Sequence, residues 1–142
     1  MTGKKFMTKQ PVVLYVEDDT QSRKLMHMLL KGRMNLPNVT ILEDSQGFLD
    51  RVEALDPKPD VIFLDIHMKP YNGFEMLSML RQLEWVNGTP IVALTASVMN
   101  EEVHKLITAG FHGCLAKPID LTTFPESLER ILGGEHVWHI AS

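Results

Sequence analysis

Five short apolar runs rich in β-branched residues recur along the chain: Val12 to Val16, Val39 to Leu42, Val61 to Leu64, Pro90 to Leu94 and Gly113 to Ala116. Three are continuously apolar rather than alternating, as strands covered on both faces must be. Between and after them the spacing turns helical. Leu25, Met26, Leu29 and Leu30 form one stripe, then Phe48, Val52 and Leu55, then Leu77, Leu80 and Leu83, then Val103, Leu106 and Ile107, and last Leu121, Phe124, Leu128, Ile131 and Leu132. Strand and helix alternate five times, which predicts an α/β chain of (βα)5 type with a five-stranded parallel sheet. Right-handed crossovers put helices on both faces of such a doubly wound sheet, and its ligands gather where the strands end at their carboxyl side.

Local punctuation agrees. Gly32, Gly110 and Gly133 follow helical stripes as C-terminal caps, and Pro57, Pro59 and Pro90 precede strands. Ser45 and Asn72 are expected N-caps, and either Asp120 or Thr123 starts the last helix, with Pro125 in its first turn. The domain then runs from residue 11 to 134, with an N-terminal tail of residues 1–10 and a C-terminal tail of residues 135–142. His136 and His139 flank Trp138 but have too few companions for a metal site, so the tail is read as flexible or docked on the surface.

Composition narrows the function classes. With 142 residues, 44% of them hydrophobic, the chain has material for one continuous core. Cys114 is the single cysteine, which excludes an internal disulfide and fits the reducing cytoplasm; within an apolar strand it reads as a small buried hydrophobe. The nine methionines, Met26, Met28, Met76 and Met79 among them, read as core filler or partly exposed helix positions rather than a binding surface. No apolar run approaches the ~20 residues that span a bilayer, so no membrane partner is expected. Fourteen Lys and Arg against 18 Asp and Glu give a net charge of -4, the wrong balance for direct nucleic-acid binding.

The strand ends carry the chemistry. The first run leads into Glu17, Asp18 and Asp19, the third into Asp65, the fourth into Thr95, and the fifth into Lys117 and Pro118. Clustered carboxylates repel one another unless a cation neutralises them, and an all-oxygen set suits Mg²⁺. Asp18 and Asp65 are the expected direct ligands, with Glu17 acting through water. Lys117 offers a point charge on a flexible stem, and Thr95 a hydroxyl, both suited to phosphoryl oxygens. Together they fit transfer of a phosphoryl group to the Asp65 carboxylate.

The segments Val16-Glu17-Asp18-Asp19, Leu64-Asp65-Ile66-His67-Met68 with Gly73 downstream, Leu94-Thr95-Ala96 and Ala116-Lys117-Pro118 resemble the receiver domain of two-component response regulators, the CheY-like family. The resemblance spans Pro11 to Leu132. It implies strand order 2-1-3-4-5, Asp65 as phosphoacceptor, Glu17 and Asp18 as the acidic pair, Thr95 as switch hydroxyl, and Lys117 as phosphoryl contact. It also implies the main-chain carbonyl of His67 as a metal ligand and a cis peptide before Pro118. His67 and Ser97 occupy the positions whose side chains tune the lifetime of the acyl phosphate.

The implied partners are a histidine kinase or histidine phosphotransfer protein upstream and a protein target downstream, met through the fourth helix, fifth strand and fifth helix. The chain would catalyse only its own phosphorylation and dephosphorylation. Two departures stand out: Cys114 replaces the aromatic expected three residues before the lysine, and Lys69-Pro70 shifts the usual loop proline by one. A haloacid-dehalogenase-type phosphatase would place a second Asp where His67 stands. Few residues follow Gly134, so a stand-alone receiver is expected. A receiver-fold interaction module that switches weakly, or a fragment of a hybrid kinase or larger regulator, is the alternative.

Overall fold

A computed structural model describes residues 10–141. The apolar runs form β1 (Val13–Val16), β2 (Val39–Leu42), β3 (Val61–Asp65), β4 (Ile91–Thr95) and β5 (Gly113–Ala116). All neighbours are parallel, in the order β2-β1-β3-β4-β5, so the expected (βα)5 class and strand order both hold. The helices are α1 (Thr20–His27), α2 (Phe48–Glu53), α3 (Gly73–Leu80), α4 (Asn100–Ala109) and α5 (Phe124–Leu132).

Strand alternation sorts the core into two layers. Val13 and Tyr15 of β1, Val61 and Phe63 of β3, Val92 and Leu94 of β4, and Leu115 of β5 face α1, the turn that follows it and α5, where Met26, Leu29, Phe124 and Leu128 cover them. The intervening residues, among them Leu14, Ile62, Ala93 and Cys114, face Phe48, Met76, Leu80, Val103 and Leu106 of α2, α3 and α4. Every β1, β3 and β4 residue is buried, which is why those runs read as continuously apolar. The register sets Val16 beside Leu64, Asp65 beside Leu94 and Thr95 beside Ala116, so strand ends line up along one rim.

Some local expectations are corrected. After α1 the chain continues through a wide π-type turn, Met28–Arg33, which takes up Gly32; Asn35, at φ 58°, makes the left-handed exit instead. Gly110 does cap α4 at φ 103°, and Gly133 caps α5 as expected, its amide donating to the Glu129 carbonyl, before Gly134, at φ 98°, turns the chain. Asn72 caps α3 in a reciprocal capping box with Glu75. Ser45 caps nothing: its hydroxyl donates to the Tyr71 carbonyl and accepts from the Tyr71 amide, both at 2.8 Å, and α2 starts behind Gly47. It ties the loop after β2 to the loop after β3. Thr123 immediately precedes α5, while the Asp120 carboxylate accepts the Thr122 and Thr123 amides to shape the turn before it.

Residues 1–9 of the N-terminal tail lie outside the described residues. The C-terminal segment docks on the outer edge of β5, where Trp138 pairs with Cys114 in the parallel sense.

Candidate functional site

Glu17 follows β1 directly and is wholly buried, on the same sheet face as Tyr15 two residues earlier. A buried carboxylate needs partners. The Tyr15 hydroxyl donates to Glu17 Oε1 at 2.7 Å, Lys117 Nζ donates to Oε1 and Oε2 at 3.0 and 3.1 Å, and the Asp19 amide donates to Oε2 at 3.2 Å. Arg23 reaches back from α1 to the Glu17 carbonyl at 3.1 Å. Asp19 itself caps α1, and Ser22's two hydrogen bonds hold its carboxyl below the usual range.

Asp65 ends β3, 4% exposed, with Oδ1 3.3 Å from Lys117 Nζ. Burial first, and then Glu17, raise its pKa to about 7 against the pull of Lys117. Burial works against the charge on Lys117, but Glu17 and Asp65 outweigh it and hold the ammonium above its ordinary value. Burial, followed by the Glu17 charge, pushes the Tyr15 phenol up as well. Gly73, at the start of α3, makes room: a Cβ there would sit 2.7 Å from the Ile66 side chain and 3.0 Å from the Asp65 carbonyl.

Carboxylate oxygens of Glu17, Asp18 and Asp65 lie within 4.8 Å of one another, and Asp18 is exposed at the mouth of the group. Lys117 is the one cation that hydrogen-bonds any of these carboxylates among the described residues. Three carboxylates against one ammonium leave negative charge in excess, and an all-oxygen group with one open side fits a hard divalent cation.

Thr95 ends β4, buried, and its Oγ1 accepts the Ser97 amide at 3.1 Å. Ser97 is half-buried, the His67 side chain is exposed just past β3, and the Lys117–Pro118 peptide is cis. Cys114 is buried in β5; burial pushes its thiol up, and Sγ donates to the His139 carbonyl at 3.4 Å. The structure thus brings Glu17, Asp18, Asp65 and Lys117 together, with Thr95 on the next strand end. Tyr15 and Arg23 escaped the sequence reading. Tyr15 had a signal, since strand alternation puts it on the face of Glu17.

Residues 13–129 match the response regulator receiver domain family. The chain belongs to that family. Similar receivers occur alone and inside larger proteins. The chain is 27% identical over 127 residues to the polar-differentiation response regulator DivK of Brucella ovis, covering 89% of this chain and 98% of that protein. It is 29% identical over 122 residues to hybrid signal transduction histidine kinase D of Dictyostelium discoideum, covering 82% of this chain but only 8% of that protein's length. Among solved structures, it resembles the receiver domain of a sensor histidine kinase from Pseudomonas aeruginosa, solved with a magnesium ion coordinated in its active-site cleft. That likeness has a TM-score of 0.74 and 25% identity, and covers 88% of this chain and 99% of the other. A receiver is a signalling module of two-component systems, and no described helix here is long and apolar enough to cross a membrane.

Proposed function

We propose that this receiver accepts a phosphoryl group on Asp65 from a phosphohistidine of a partner kinase or phosphotransfer protein, and that the charge so gained switches a protein-binding surface. The observation that carries this reading is the placement of the Asp65 carboxylate 3.3 Å from Lys117, at the rim of a three-carboxylate group. In the transfer, an Asp65 carboxylate oxygen forms the new O–P bond as the P–N bond to the donor histidine breaks, and the imidazole keeps the electron pair and takes up a proton. Lys117 moves from Asp65 toward the phosphoryl oxygens while keeping its bonds to Glu17, and the Thr95 hydroxyl donates to another oxygen.

Glu17, Asp18, Asp65 and the His67 carbonyl would hold Mg²⁺, Glu17 through water. When bound, the ion supplies positive charge for the oxygens of the transferring group. The excess negative charge of the carboxylates supports this, as does the magnesium held by the Pseudomonas receiver. We place the chain in the cytoplasm as a stand-alone receiver that catalyses only its own phosphorylation and dephosphorylation. The likeness to DivK, named a response regulator, is the comparison this reading follows.

Incubation with Mg²⁺ and a small acyl phosphate should add one phosphoryl group by intact mass, and Asp65→Asn should add none. Equal labelling of both forms would sink the reading. The His67 side chain stands exposed just after the acceptor strand, so His67→Ala should change the rate at which the phosphoryl group is lost. An unchanged rate would remove His67 from that role.

A further inference from the structure

The segment after α5 makes strand-like pairing that the phosphoryl chemistry does not use. Gly134 turns the chain, and Val137 then accepts the Cys114 amide at 2.9 Å. The His139 amide donates to the Cys114 carbonyl at 2.9 Å, the Ala116 amide to His139 Nδ1 at 3.1 Å, and the Ala141 amide to the Val98 carbonyl at 2.7 Å. Side chains alternate as on a strand. Val137 is buried in the α1 and α5 layer, while Trp138 packs on the opposite layer with Cys114 and Val98. Gly113 permits the contact, since a Cβ there would lie 2.6 Å from the Val137 carbonyl oxygen.

The far end of this segment reaches the site. Val98 sits in the turn between β4 and α4, and the amide of its neighbour Ser97 is the one held by Thr95 Oγ1. The hydroxyl proposed to follow the phosphoryl group therefore lies three residues from the carbonyl that anchors Ala141.

We propose that Glu135–Ala141 is a displaceable strap on the outer edge of β5, and that its docking is coupled through Thr95, Ser97 and Val98 to phosphorylation of Asp65. This rests on the phosphoacceptor reading above. As Thr95 turns toward a phosphoryl oxygen it leaves the Ser97 amide, the turn carrying Val98 shifts, and the Ala141 anchor gives way. Release bares the Cys114 amide and carbonyl, a pairing edge suited to an extended segment of a partner protein. Trp138, lying against Cys114, is then the aromatic side chain that moves with the state of the site.

The test uses the full chain carrying Trp85→Phe, so that Trp138 is its only indole. Amide exchange at His139 and Ala141 and Trp138 emission are followed before and after phosphorylation by Mg²⁺ and an acyl phosphate, with intact mass counting the phosphoryl group. Exchange at both amides should rise at least about fivefold, the lower end of ordinary allosteric coupling. Because coupling is reciprocal, Gly113→Ala and Trp138→Ala should bind the phosphoryl mimic beryllium trifluoride more tightly by a similar factor. Should Gly113→Ala fail to fold, Trp138→Ala carries that arm alone. A chain phosphorylated by mass whose His139 and Ala141 exchange is unchanged overturns the coupling and leaves the phosphoacceptor reading intact. Unchanged affinity for the mimic in Trp138→Ala overturns it as well. No added mass on any form overturns both.

Discussion

The carboxyl rim of β1 and β3 and the outer edge of β5 bound the same sheet but are held in opposite ways. At the rim, side-chain identity is everything: Glu17 is wholly buried, and Tyr15, Lys117 and the Asp19 amide supply the hydrogen bonds its carboxyl group needs there. At the edge, backbone groups of β5 pair with backbone and one imidazole of Glu135–Ala141, and a single fully enclosed side chain, Val137, adds apolar burial. The first arrangement tolerates no missing partner. The second is modular, since any extended segment with an apolar residue at the right place satisfies the same donors and acceptors.

The largest effect is expected at the rim. Lys117→Ala strips Glu17 and Asp65 of their one bonded cation, and removing one partner of a buried pair costs about 3–5 kcal/mol because the other charge stays behind. Urea unfolding should report that loss across the whole domain, with m unchanged. A loss below about 1 kcal/mol would put this pair among exposed bridges and erase the contrast with the strap.

The same contrast explains what was readable beforehand. The strands were legible because burial on both faces writes an unbroken apolar run, whereas their order was implied only by the family resemblance. Glu17, Asp18, Asp65, Thr95 and Lys117 were legible because their types at strand ends have few other uses together. Glu17 was expected as a metal ligand through water; its bonds to Lys117 depend on strand pairing that no local pattern encodes, whereas strand alternation alone puts Tyr15 on its face. Ser45 looked like a helix cap because its type favours caps, yet a loop 26 residues onward claims its hydroxyl. The docking of Val137 to Ala141 was obscured by the Gly133-Gly134 break and by so short a run, although Val-Trp-His-Ile has strand character.

Asp65 sharpens the rim side. Its pKa is raised to about 7, above the unfolded carboxylate value, so the folded chain holds a proton that the unfolded chain releases. That contribution is fully present below about pH 4 and is lost as pH rises through about 7. In metal-free buffer at pH 8, Asp65→Asn should therefore be more stable than the wild type by up to about 4 kcal/mol, the free energy of the raised pKa. Equal stability of the two forms at pH 8 and pH 4 would show that Lys117 already neutralises the acceptor.

Val137→Ala tests the edge. Losing two buried methyl carbons is worth about 1.5 kcal/mol by transfer, but the strap can undock without unfolding the sheet. The cost to global stability is then capped at the strap's own docking free energy, while exchange at the His139 and Cys114 amides accelerates. Global destabilisation with no local acceleration would mean that the segment is an inseparable sixth strand, no different in kind from the rim.

The smallest effect separates the two regions by the direction of their pH dependence. His139 accepts the Ala116 amide through Nδ1, which requires a neutral ring; burial lowers its pKa, Arg130 adds to the lowering, and Asp120 opposes it. The unfolded imidazole binds a proton more readily than the docked one. This stabilisation is therefore present above about pH 6.5 and is lost as pH falls through the lowered value, the reverse of the Asp65 dependence. His112, whose Nδ1 accepts the Ile91 amide and whose pKa burial also lowers, has the same sign but lies at the other end of β4. As pH falls through the lowered His139 value the Ala141 and His139 amides should therefore exchange faster, after correction for intrinsic rates, by the factor of several that one hydrogen bond of about 1 kcal/mol represents. His139→Phe should remove that pH dependence and His112→Phe should not. If His112→Phe removes it instead, the strap is held from the α5 end and the link to Val98 is not its controlling contact.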